Sequence, residues 1–168
     1  MTSKLILSLD LSLNLPAYAV SRIEDGEITV LEVGHVDNKK GGITTAEKLE
    51  KIYNLLKDVF QKYKKFDVVV REKGFSRFAN TTQLLFRVVG VSDLVALQEA
   101  GIKAVEEIPP TTIKTIVAGY SRADKQEVEA GVREYLKPEQ KDMEFYSDDE
   151  SDAVAVAITH AIKKGWLN

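Results

Sequence analysis

In "LILSLDLSLNLPAYAV", Leu5 to Val20, one carboxylate, Asp10, interrupts an apolar run of strand type. An unpaired ionised carboxylate is too unfavourable to bury, so Asp10 must be exposed, paired or bound to something positive. Two more acidic positions raise the same question. Glu72 follows the short apolar run Val68 to Val70, and "YSDDESDAVAVAITHA" sets Asp148, Asp149, Glu150 and Asp152 at the start of the last helical segment. Asp149 and Asp152, at i and i+3, share one helix face. Ser147 and Glu150 have capping-box spacing, and acids in a first turn complement the helix dipole, which accounts for Asp148 and Asp149. Asp152 is not explained that way, because it already stands against the small-residue face of Ala153, Ala155 and Ala157. Converging carboxylates repel, and a cluster of hard oxygen donors is the environment that Mg²⁺ or Mn²⁺ prefers. Two such ions about 3.5–4 Å apart activate water and stabilise the leaving oxygen of a phosphodiester.

These acids need a scaffold that brings strand ends and a helix start together. Leu5 to Leu9, Tyr18 to Ile23 and Ile28 to Val33 read as strands, and Asp25-Gly26 between the last two is a two-residue hairpin signal. Thr44 to Phe66 keeps helical spacing through Leu49, Ile52, Tyr53, Leu56, Val59, Phe60 and Tyr63. A short strand, Asp67 to Val70, ends in Arg71-Glu72. A helix from Thr81 to Ala100 carries Leu84, Leu85, Val88, Val91, Val95 and Ala96 on one face and stops at Gly101. Lys103 to Ile108 is a further strand closed by Pro109-Pro110, and helices follow over Asp124 to Leu136 and from Ser147 to Lys164. The order predicts an α/β fold, a mixed five-stranded sheet flanked by helices, as one domain over 1–168.

Composition bounds the rest. The chain has 168 residues, no cysteine and a net charge of −3, so disulfides and cysteine-bound metals are excluded. No apolar run approaches the roughly 20 residues of a membrane span. The apolar start resembles part of a secretory signal, but Asp10, Asn14 and Pro16 break it, and a cytoplasmic location is expected. Positive charge is local: Arg71, Lys73, Arg77 and Arg87 oppose only Glu72, with Lys62, Lys64 and Lys65 just before. Within that patch, "GFSRF" puts Phe75 and Phe78 beside Lys73 and Arg77, the composition of a loop in which aromatics stack on bases. His160 reads as a packed or hydrogen-bonding histidine and His35 as a surface residue. Lys114 and Lys125, taken alone, read as solvated charges.

"LSLDLSLNLPAYAV", "VVVREKGF", "PPTTIKTIVAGYSRADKQEV" and "SDAVAVAITHA" occur in an order and spacing that resemble RuvC-type Holliday junction resolvases, members of the ribonuclease H-like superfamily. The resemblance covers most of the chain. It implies a dimeric, Mg²⁺-dependent endonuclease, with Mn²⁺ able to substitute, that resolves four-way DNA junctions by paired symmetric nicks leaving a 5′-phosphate and a 3′-hydroxyl. It places four acidic ligands on Asp10, Glu72, Asp149 and Asp152, with Asp148 and Glu150 as adjacent alternatives to Asp149. It places Lys114 and Lys125 at the scissile phosphate, Phe75 at the junction centre, and the dimer contact on the helix from Thr81 to Ala100. DNA contacts are expected from Lys73, Phe75, Arg77, Phe78, Lys114, Arg122 and Lys125. Leu11-Ser12 stands where the family usually has Pro-Gly, and Pro16-Ala17 where it has a further Gly, which marks a divergent member, cellular or phage-borne.

Other readings remain open at this level. A related nuclease would cut forks, flaps or hybrids. A non-catalytic junction binder would have lost a ligand, yet all four acids are present. An actin-like kinase would need a second "DxG" motif, which is missing.

Overall fold

Residues 4–10 alternate across a strand, but four of the seven are fully buried, which is the pattern of a strand covered on both faces. The computed structural model describes residues 2–74 and 76–168. In it β1 (Lys4–Asp10) is the centre of a five-stranded sheet of order β3-β2-β1-β4-β5. It pairs antiparallel with β2 (Ala17–Glu24), which pairs antiparallel with β3 (Glu27–His35). On its other side it runs parallel to β4 (Val68–Glu72), and β4 runs parallel to the short β5 (Glu106–Ile108). The β2–β3 turn takes positive φ at Asp25 and Gly26, 54° and 79°, as the Asp-Gly pair predicts.

Strand alternation divides the side chains between two layers. Leu7, Leu9, Val20 and Val69 face α1 (Thr45–Tyr63) and α2 (Ala79–Ala100), where Ile52, Leu56, Phe60, Val88 and Val95 meet them. Ile6, Ala19, Ile28 and Val70 face the opposite layer. That layer consists of α3 (Pro110–Ala118), α4 (Lys125–Tyr135) and α5 (Asp148–Lys163). By the same alternation Asp10 and Glu72 belong to the α5 side, and Arg71 to the α2 side. The run from Ser151 to Ala161 on α5 is buried throughout, and its alanines let the helix lie close to β1 and β2.

The segment after Pro109, to which the sequence alone assigns no element, is a helix, α3, because Pro110 occupies the first helical position, where its missing N–H is no loss. Three expectations change. The expected strand from Lys103 forms only over Glu106–Ile108. The apolar face read on α2 is spent on the core, with Val88, Val95 and Ala96 buried, whereas Phe86, Leu94 and Leu97 form a second stripe turned outward, 60%, 49% and 49% exposed. Ser147 makes no capping bond, and Glu150 bonds elsewhere. Among the described residues no helix is long and apolar enough to cross a membrane.

Candidate active site

β1 and β4 end side by side, since Leu9 stands opposite Arg71 in the parallel register, and each strand delivers its last residue, Asp10 or Glu72, to the same layer. The first two turns of α5 cross that edge. Carboxylate oxygens of Asp10, Asp149 and Asp152 come within 4.8 Å of one another. Glu72 lies outside this tight trio but lines the same cavity, of about 430 Å³, with Lys114 of α3 and Lys125 of α4. The helix that follows the Pro-Pro pair is thus what presents Lys114. Lys125, at the first position of α4, is paired with Asp152.

The electrostatics follow from crowding. Burial raises the pKa of Asp10 well above the carboxylate range, and Glu72, Asp152 and Asp149 push it the same way against Lys125. Glu72 is raised by burial and by Asp152, with Lys125 and Lys114 opposing. Asp152 is raised by burial despite its bond from Lys125. Lys125 in turn would be lowered by burial, but the Asp152 hydrogen bond and the surrounding acids outweigh that and raise it. One ammonium group in contact does not neutralise this set. The donors are hard oxygens, close together and short of positive charge, so the residues fit a divalent cation.

The other expected residues distribute as follows. Lys73, Arg77 and Phe78 are exposed on the loop between Glu72 and α2, with the Arg77 guanidinium 5.7 Å from the Phe78 ring centroid. Arg122 is exposed just before α4 and does not line the cavity. Phe75 lies outside the described residues. Arg71 is not part of the surface basic patch: it is 5% exposed, on the far face from Glu72, with Nη1 2.5 Å from Asp93 of α2 and Nε 3.5 Å from Glu107 of β5. His160 is buried, 3.3 Å from Glu106 and edge-on to Trp166, and takes no part in the cavity. His35 is not a free surface residue, since its Nδ1 lies 2.8 Å from Glu150 Oε1. Glu150 therefore has its carboxylate turned away from the acidic trio, and Asp149 is the member of the DDE run that joins it.

A mixed sheet of this order, with carboxylates at the ends of its central parallel strands and an acidic helix turn above them, is of the ribonuclease H-like class. The family model described as crossover junction endodeoxyribonuclease RuvC matches residues 6–160, and the chain belongs to that family. The RuvC of Alkaliphilus metalliredigens is 28% identical over 157 residues, 94% of this chain and 92% of that one. That of Chloroflexus aurantiacus is 31% identical over 150 residues, 86% and 84%. Among solved structures, Thermus thermophilus RuvC in complex with a Holliday junction substrate superposes with a TM-score of 0.83 at 21% identity, covering 96% of this chain and 94% of that one.

Proposed function

We propose that this chain is a metal-dependent endonuclease that resolves four-way DNA junctions, acting as one domain in the cytoplasm. The observation that carries the reading is the trio of Asp10, Asp149 and Asp152 oxygens within 4.8 Å, in a cavity that two lysines also line. Asp10, Asp149 and Asp152, with Glu72 beside them, would hold Mg²⁺ ions. When bound, such cations supply a nucleophilic water and stabilise the leaving oxygen of a phosphodiester. The chain's own residues do the rest. Lys114 and Lys125 stand on separate helices at the mouth of the cavity, where they attract the scissile phosphate and oppose charge that develops on it. Lys73, Arg77, Phe78 and Arg122 lie exposed outside the cavity and meet the flanking DNA. Hydrolysis joins the water oxygen to phosphorus and releases the 3′-oxygen as a hydroxyl, leaving a 5′-phosphate.

Two matched nicks require two such sites. The outward stripe of Phe86, Leu94 and Leu97, with Gly90 between them offering no side chain, is a surface for a second copy, and a two-fold pair matches the symmetry of an open junction. The test is incubation with labelled four-way, forked and linear duplex DNA in Mg²⁺, Mn²⁺ or chelator. Cation-dependent, paired cleavage of the four-way substrate is expected. Equal cutting of forks and four-way junctions would reassign the chain to a broader structure-selective nuclease.

A further inference from the structure

The acidic trio joins two separately built parts of the fold, because Asp10 ends a strand and Asp149 and Asp152 begin a helix. A lateral contact ties those parts. The register sets Asp10 opposite Ala17 and Ala17 opposite His35, so one row crosses three strands from Asp10 to the end of β3. At the end of that row His35 Nδ1 lies 2.8 Å from Glu150 Oε1, and the other Glu150 oxygen accepts the Tyr146 backbone N–H at 2.8 Å. The Tyr146 ring stacks on His35, centroids 3.9 Å apart and planes within 13°. Glu150 is 4% exposed and stands in the chain between Asp149 and Asp152. Ser147 could have closed the helix start locally, but it makes no cap bond, and Glu150 reaches 115 residues back along the chain instead.

We propose that the His35–Glu150 contact is a positioning clamp. It holds the first turn of α5 against the end of β3, in the row that leads across β2 to Asp10, so that three mutually repelling carboxylates stay at ligand spacing before any cation arrives. A turn held there needs no reordering on binding, and cation affinity rises accordingly. Neither residue lines the acidic cavity. The inference rests on reading the trio as a cation site, and the experiment separates the two.

The experiment is thermal melting of the whole protein, without DNA, titrated with Mg²⁺ and in parallel with Mn²⁺. For the wild type, melting temperature rises with cation, because a ligand bound only by the folded state stabilises it. For Glu150→Ala and His35→Ala the half-saturating cation concentration should rise by about tenfold or more, the scale seen when partners that orient metal ligands are removed. Glu150→Gln, whose amide can accept from Tyr146 N–H and donate to His35 Nδ1, should return it close to the wild-type value. An unchanged half-saturating concentration in both alanine variants, even with a lower cation-free melting temperature, overturns the clamp and leaves the contact a role in folding alone. If Glu150→Ala does not fold, His35→Ala decides, because it leaves the Glu150–Tyr146 bond in place. A wild type that shows no cation-dependent rise overturns the cation site and the clamp together.

Discussion

Asp10→Asn should stabilise the cation-free protein while destroying its activity. At 4.8 Å two unit charges repel by about 3.5 kcal/mol at an effective dielectric of 20. Asp10 faces two such neighbours, with Glu72 adding and Lys125 subtracting. The raised pKa lets the carboxyl group shed part of that sum by taking up a proton. The penalty at neutral pH therefore cannot exceed the free energy of holding neutral a group that ionises near 3.9 when unfolded, about three pH units at about 1.4 kcal/mol each, or roughly 4 kcal/mol. An isosteric amide has no such penalty, so a gain of about 2–4 kcal/mol is expected, which at about 2–4 °C per kcal/mol is a rise of roughly 4–16 °C in Tm. The sign with pH follows from the raised pKa: the folded state binds the proton more tightly than the unfolded state, so the wild type is least penalised below the unfolded pKa and loses stability as pH rises. Calorimetry in chelator should accordingly find the variant's advantage large at neutral pH and nearly gone at about pH 4. Adding Mg²⁺ should raise the wild-type Tm and leave Asp10→Asn nearly unmoved. An Asn variant that melts at or below the wild type in chelator at neutral pH would refute the reasoning, because the trio would then not be in net repulsion.

Glu72→Gln and Asp152→Asn should each abolish cleavage of a four-way junction while leaving gel-shift affinity within about threefold, since on the proposed reading each removes a metal ligand and not a phosphate contact; cleavage at the wild-type rate by Asp152→Asn in Mg²⁺ would dismantle the site. Leu94→Glu, placed in the middle of the outward stripe of α2, should convert a dimer to monomer in sedimentation at micromolar concentration with little change in Tm, because Leu94 is 49% exposed in the single chain. Phe78→Ala should weaken junction binding by about tenfold, the loss of one stacked base at ~1–3 kcal/mol, with Tm unchanged because the ring is 65% exposed; equal binding by variant and wild type would remove Phe78 from the DNA surface.

Much of the scaffold is legible because it obeys local rules. The Asp-Gly turn, the alternation of β1 and the helical spacing of α1 each depend on neighbours in the chain, and alternation alone sends Asp10 and Glu72 to one layer. What depends on distant partners is not legible. Arg71 counts as a surface charge until its strand parity is noticed, which turns it to the face opposite Glu72 and into a pair with Asp93, 22 residues on. The helix Pro110–Ala118 hides behind a proline pair that usually signals a stop and a Thr-Thr-Ile start that suits a strand, so Lys114 is recognisable only through the family resemblance. The outward stripe of α2 is obscured because that helix is apolar on two sides. The His35–Glu150 contact has no local signature, and a histidine at a strand end with a glutamate in a first turn both have ordinary explanations.

The buried guanidinium of Arg71 bears on how far apart two cuts must fall. It locks β4 to α2 through Asp93 and to β5 through Glu107, one residue before Glu72. Packing of Val88 and Val95 of α2 adds to that lock within the same layer. With two copies paired along α2, the path from one acidic site to the other runs from strand to helix to helix to strand, through buried joints on each side. If the proposed pairing holds, the assembly works as a caliper set to one opening: the protein sets the separation of the two phosphates, and the DNA arms swing until the strands to be cut reach the jaws.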